Sequence, residues 1–300
     1  MTYDILVYGP LFCDLIFTAL PHMPELGKEV YAGDFAVAVG GSAIVAAALH
    51  RLGAKVGLIA DLGSDPMSQM VSNLLDELGL DRRLIRVHDH PLPQLTVALS
   101  FPHDRAFVTR FVRPDQPPDM RALLAANPAR HMHVCGFLAL QETPDIVDLV
   151  HESGMTVSLD MGWDDEILRE PHVRNAISKC DIFLPSRNEL CAIMRTEEAV
   201  DALKQAVDLM PEGIVVMKDG SRGAIAGHHG KFEHASPMQV KPVDTTGAGD
   251  SFDAGFLYAY LNGLPLSQCL RFGNVCGALA TTAVGGAVAA PTLQEIQQWL

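Results

Sequence analysis

Apolar residues along the chain follow two alternating rhythms. Short β-branched runs at 5–7, 56–60, 133–135, 156–160, 182–184 and 214–217 read as buried strands. Between them, 42–52, 67–78, 144–152 and 197–209 carry apolar residues at helical spacing. A continuously apolar strand needs both of its faces covered. The repeated units therefore imply an α/β fold, a central, mostly parallel sheet with helices on both faces. Two stretches, 15–39 and 95–113, break the rhythm, because strand-like residues follow one another there without a long helix between them. A small flanking sheet and a pair of surface hairpins both satisfy that pattern. The Pro-rich patch 114–118 reads as a loop, and beyond Asp250 helices at 251–261, 266–283 and 293–300 finish the chain.

Composition narrows the reading. Three hundred residues with 48% hydrophobic content can bury one large core, so a single domain spanning 1–300 is expected. A formal net charge of -14 argues against a nucleic-acid partner, since backbone affinity rests on accumulated Lys and Arg. Any anionic ligand must then be held by local groups. Six cysteines, Cys13, Cys135, Cys180, Cys191, Cys269 and Cys276, form no C-x-x-C pair and no dense framework, so neither zinc nor disulfides are indicated. No basic region precedes an apolar stretch at the amino terminus, and the apolar runs are too short to span a bilayer. A cytoplasmic protein without a membrane partner is the expectation.

The most informative run is Asp244-Thr245-Thr246-Gly247-Ala248-Gly249-Asp250, leading straight into the apolar helix that begins Ser251-Phe252-Asp253. Small side chains let successive backbone N–H groups face outward at a helix amino terminus, which attracts anions and suits a transferring phosphoryl group. An aspartate at that point would repel phosphate. As a base it would take a proton from an attacking hydroxyl; a helix cap with a glycine turn is the other reading of the bare residues.

The full run D-T-T-G-A-G-D followed by S-F-D-A-G-F closely resembles the second signature of the ribokinase-like (PfkB-type) carbohydrate kinases. That resemblance implies a three-layer sandwich with a small β lid. The activity it implies is transfer of the γ-phosphoryl group of ATP to a primary hydroxyl of a sugar, with Mg2+ and, in some relatives, a monovalent cation such as K+ near Asp244. It makes Asp250 the catalytic base and Gly247, Ala248 and Gly249 the anion hole.

Nearly the whole chain takes part in the resemblance. Gly9 to Asp14 looks like the family's first strand, with Asp14 accepting from sugar hydroxyls; alone, such an aspartate reads as a turn or cap. Gly40 and Gly41 match the first signature, where the backbone approaches the sugar. Ile44 and Val45 stand where the family has an asparagine, a departure that removes a sugar ligand. Glu142 matches a substrate-contacting glutamate of ribokinase, and an expected place at a helix amino terminus would suit the dipole equally. Pro185 to Glu189 resembles P-N-x-x-E with Ser186 for the asparagine; Glu189 would organise hydrated magnesium or simply cap a helix.

Lys218, Gly220, Ser221 and Gly223 resemble the K-x-G-x-x-G turn beside the nucleotide phosphates, to which Asp244 and Thr245 also belong. Asn274 matches the helix lining the adenine pocket, and Gly285-Gly286-Ala287 the closing loop. The stretches 15–39 and 95–113 fall where the family builds its lid, whose strands pair between subunits in several relatives and so imply a homodimer. Lids exclude water from the reaction.

Other signals weigh less. His228, His229 and His234 sit in a glycine-flanked turn without matching ligands. The acidic stretch 160–166 reads as a solvated loop. Arg105, Arg110 and Arg113 would recognise a phosphate already on the acceptor if a lid strand points them inward; exposed strand charges are the other reading. There is no P-loop motif. A nucleoside or pseudouridine kinase uses the same base, and a non-catalytic relative is the third reading, motivated by Ile44, Val45 and Ser186.

Overall fold

The computed structural model describes residues 2–101 and 105–300; positions 102–104, inside the expected lid stretch 95–113, lie outside the described residues. Among the described residues thirteen strands are formed. They are β1 (Tyr3–Tyr8), β2 (Leu11–Thr18), β3 (Asp34–Gly41), β4 (Val56–Leu62), β5 (Ile85–Val87), β6 (Leu95–Ser100), β7 (Arg105–Arg110), β8 (Ala129–Cys135), β9 (Thr156–Asp160), β10 (Ile182–Phe183), β11 (Ile214–Lys218), β12 (Ala224–His228) and β13 (Lys231–Ala235). Nine of them form one sheet in the order β13-β12-β11-β10-β9-β8-β1-β4-β5, parallel except where β12 and β13 turn back. The other four form a second sheet, β3-β2-β6-β7. The broken-rhythm stretches are thus a small sheet rather than separate hairpins. It starts earlier than expected, at Leu11, so that Asp14 itself lies on a strand of the small sheet, opposite Ala38.

Helices cover both faces of the large sheet. They are α1 (Ser42–Arg51), α2 (Pro66–Glu77), α3 (Met120–Ala126), α4 (Phe137–Glu142), α5 (Ile146–Glu152), α6 (Pro171–Lys179), α7 (Arg187–Met194), α8 (Ala199–Leu209), α9 (Ala248–Leu261), α10 (Leu266–Ala280) and α11 (Leu293–Gln297). Strand alternation splits the core in two. Ile5 and Val7 of β1 pack with α1, α9 and α10, whereas Leu6 and Tyr8 pack with α4, α5, α7 and α8.

Two elements differ in character from their sequence pattern. α1 is buried from Ser42 through Leu49, because it lies between the large sheet, the small sheet and α9; a helix apolar all round is a core helix. β8 begins at Ala129, four residues before its apolar run suggests. His131 and His133 are fully buried there: His131 bonds Thr156 and Ser158 of β9 through its two ring nitrogens at 2.7 and 2.8 Å, and His133 bonds Ser158 through Nδ1 at 2.8 Å while its Nε2 has no protein partner among the described residues. Hydroxyls across the ladder make polar side chains acceptable in a buried strand.

Candidate active site

Parallel strands deliver their carboxyl ends, and the loops that follow, to one edge of the sheet, where α/β proteins hold ligands. The amino terminus of α9 sits at this edge. Its cap, Gly247, has φ 70°, and a Cβ there would lie 2.9 Å from Ile44 Cγ2 and 3.1 Å from the Gly286 Cα. Only glycine satisfies both the left-handed backbone and the close approach. The first-turn amides of α9 lack the i−4 acceptors of later turns and carry the positive end of the helix dipole; of these the Ala248 N–H reaches the Thr245 carbonyl in a long bond of 3.3 Å.

Asp250 occupies that first turn, half-buried. Its carboxyl is pushed up to about 6 by burial, with Asp160 adding to the shift and Lys218 and Arg105 opposing it. Asp14 faces it from β2. Burial, then the charges of Asp250 and Asp244, lift Asp14 to about 7. Gly40 on β3 lies directly against the Asp14 carboxylate, and a Cβ would overlap both oxygens. Two carboxyl groups and a helix amino terminus therefore converge on one space.

Asp244 shapes the approach to α9. Its Oδ1 accepts the backbone N–H and hydroxyl of Thr246 at 2.9 and 2.8 Å, and its Oδ2 accepts the Gly285 N–H at 3.0 Å. The closing loop is thereby tied to the run before the anion-hole candidate. From the small sheet, Arg105 of β7 donates to Thr245 Oγ1 at 2.5 Å, so one lid arginine does point inward. Arg110 is exposed, and Arg113 bonds Gln141.

The remaining candidates sit further out or are engaged. The Lys218 ammonium lies 2.9 and 3.0 Å from the Asp253 oxygens and 3.2 Å from Asp160. Burial works against its charge, but Asp160, Asp253 and Glu189 raise its pKa overall. The Asn274 amide donates to the carbonyls of Ala235 and Ser236 at 3.0 Å, pinning the chain after β13. Gly220 and Ser221 form a single 3-10 turn with Arg222, and Gly223, at φ 90°, passes against the Ala235 carbonyl. Gly41, at φ 65°, caps α1 against Pro10.

Glu189 completes a capping box: its carboxylate accepts the Ser186 N–H at 2.7 Å while Ser186 Oγ accepts the Glu189 N–H. Burial and Asp160 raise its pKa, so a cation nearby would be welcome. Among the described residues no group of three or more His, Cys, Asp or Glu is arranged to hold a metal by itself. A magnesium that arrives on nucleotide phosphates and keeps its waters needs only one or two carboxylates, and Glu189 fits that demand. Glu142 closes α4 at its carboxyl end instead of opening a helix, so the dipole does not account for it; it accepts from Tyr8 Oη at 3.3 Å, and burial raises its pKa.

Asp253 and Asp160 escaped the sequence reading. Asp253 follows Asp250 by three residues in an otherwise apolar helix, a spacing that shares one face. Asp160 looked like the start of a solvated acidic loop, but it ends β9 and turns toward Lys218.

Known proteins resemble this chain along most of its length. The pfkB family carbohydrate kinase model matches residues 3–293, and the chain belongs to that family. A fructokinase of Escherichia coli is 30% identical over 86% of this chain and 90% of its own. An ATP-dependent ribose-1-phosphate kinase of Halopiger xanaduensis is 29% identical over 93% of this chain and 92% of its own. Among solved structures, a putative ribokinase II from E. coli in complex with ATP and Mg2+ superposes with TM-score 0.81 at 23% identity, covering 99% of this chain and 98% of that one. A fructokinase double mutant from Vibrio cholerae, bound to fructose, ADP and potassium ion, gives 0.77 at 24% identity, with 99% of each chain covered. The protein is an ATP-dependent phosphotransferase with an alcohol group as acceptor, of the carbohydrate kinase class. Among the described residues no helix is long and apolar enough to cross a membrane.

Proposed function

We propose that Asp250 is the catalytic base of a sugar kinase whose acceptor lies between Asp14 and the first turn of α9. The observation that carries this is the pairing of an elevated carboxyl at a helix amino terminus with a second buried carboxyl across the same space. Asp14 orients the acceptor by accepting from its hydroxyls, with Gly40, Gly41 and Glu142 shaping the pocket. Asp250 takes the proton of a primary hydroxyl as its oxygen bonds to the γ-phosphorus and the bond to the bridging oxygen breaks, releasing ADP. The amides of Gly247, Ala248 and Gly249 stabilise the charge that develops on the phosphoryl oxygens. ATP is the phosphoryl donor, and Glu189 would hold hydrated Mg2+, which when bound would supply charge neutralisation to the phosphates.

The nucleotide lies along the turn that holds Gly220, Ser221 and Gly223, close to Asp244, Thr245 and Asn274. K+ near Asp244 and a homodimer formed through the lid belong to the same reading, as does a single cytoplasmic domain spanning the chain. The small sheet, whose Arg105 touches Thr245, acts as the lid.

The test is ADP release from Mg-ATP with D-fructose, D-ribose, ribose 1-phosphate and nucleosides as acceptors, with Asp250→Asn as the blank. Turnover with one sugar that vanishes in the variant is the expected result. Turnover confined to nucleosides moves the acceptor to that class. Near-normal turnover in Asp250→Asn overturns the role of the base.

A further inference from the structure

We propose that Lys218 is a positioning residue that works from beneath the anion hole, through Asp253 and Asp160, and does not touch the nucleotide. The inference rests on Asp250 being the base. A lysine in this glycine-bearing turn invites a role as phosphate ligand, but the side chain runs the other way. Its ammonium bridges Asp253 on α9 and Asp160 at the end of β9, and only 11% of the lysine side chain is exposed. Asp253 is completely buried.

The same ammonium lies 3.5 Å from the point where a Cβ on Gly249 would sit. Lys218 is thus packed against the backbone of the anion hole and bonded to the next turn of the helix that carries the base. Three elements, β9, β11 and α9, meet at one nitrogen. A buried ammonium with two carboxylates has a steep energy minimum, because moving away from either leaves a desolvated charge without a partner. The cluster therefore fixes how far the first turn of α9 stands above the sheet.

The charge has a second consequence. Asp250 is faced by Asp160 from β9, Lys218 from β11, Arg105 from β7, Asp14 from β2 and Cys135 from β8, with Asp253 one turn on; Glu189 of α7 and His133 of β8 complete the surroundings through Lys218 and Asp160. Lys218 and Arg105 are the cations in this set. Lys218 is the buried one, so it offsets the acidic crowding that would otherwise keep the base protonated.

The experiment compares Lys218→Met, Asp253→Asn and the double variant carrying both, which removes one charge of each sign and protects the fold if either single change fails. Two readouts are used. The first is the titration of the Asp250 carboxyl followed by carbon-13 NMR in nucleotide-free protein, with Asp250→Asn to assign the signal. The second is kcat and KM for Mg-ATP with D-fructose as the acceptor probe. The Asp250 midpoint is expected to move to higher pH in Lys218→Met and to lower pH in Asp253→Asn, and to return toward the wild-type value in the double variant. Turnover is expected to fall by about 10 to 100-fold in Lys218→Met, the range for a misplaced reacting group, with KM for ATP little changed.

A large rise in KM for ATP with an unmoved Asp250 midpoint overturns the proposal and returns Lys218 to the nucleotide. Shifts of the same sign in both single variants also overturn it, because a merely structural role would not distinguish the charges. If wild-type protein gives no turnover with D-fructose, the acceptor reading fails, while the NMR titration still decides the role of Lys218.

Discussion

Asp14 and Asp250 bind a proton more tightly in the folded protein than in the unfolded chain. For Asp14 the rise is from 3.8 to about 7. The folded state therefore holds the extra proton between these values, and stability from this group falls as pH rises through that window. At about 1.4 kcal/mol per unit, ionised Asp14 costs on the order of 4 kcal/mol at pH 8. Asp14→Asn should accordingly raise the melting temperature at pH 8, with the gain shrinking toward pH 4; a loss of stability at pH 8 would contradict the carboxyl's being strained. Asp250 gives the kinetic counterpart. With its carboxyl near 6, kcat/KM should drop about tenfold per pH unit below that point if it is the base, and a profile flat from pH 7 to 5 would exclude it.

The signature segment made Asp250 legible because backbone chemistry and charge pointed to the same few residues. Lys218, by contrast, read as a phosphate neighbour since the side-chain direction of a turn residue is set by tertiary partners. Its partners, Asp253 and Asp160, are 35 and 58 positions away along the chain.

At the scale of elements, the apolar runs marked six of the nine strands of the large sheet, because a strand buried on both faces tolerates few polar positions, whereas the outer strands β5, β12 and β13 and the short helices α3, α4, α6 and α7 were not read from them. What the runs left open was whether the two broken-rhythm stretches pair with each other. That depends on β2 running parallel to β6, a contact between segments some eighty residues apart. Local patterning carries no information about such pairing. The His residues of β8 were hidden for a related reason, since their hydroxyl partners come from the neighbouring strand.

The cap of α9 shows how an element's end becomes chemistry. Gly247→Ala must force a side chain into left-handed backbone and against Ile44 and the closing loop, at a cost of roughly 1 to 3 kcal/mol. The strain falls on the anion-hole amides. Turnover is expected to fall about 100-fold while the far-ultraviolet circular dichroism of the protein is preserved. Unchanged turnover would mean that the first turn of α9 is not where charge develops.

On the scale of the whole molecule, the small sheet has two jobs to reconcile. Its inner side presents Asp14 and Arg105 to the site, so it must be held in place over the acceptor. Its outer strands are sheet edges with open hydrogen-bonding groups, and Phe35 on β3 and Phe107 and Val108 on β7 are exposed there. Unprotected apolar edges invite pairing. Strand addition by a second copy of the chain would satisfy them, and a stable contact of this kind would bury about 1,600 Å² in total. Val108→Glu, which places a charge on the exposed edge strand, should therefore convert a dimer into a monomer in light scattering of the eluted peak. Because the lid would lose its outer support, KM for the acceptor should rise in the same variant while the affinity for ATP holds. A wild-type chain that elutes as a monomer at all concentrations would show instead that the lid is held only from within, by the Arg105 contact and the strands that join it to α1.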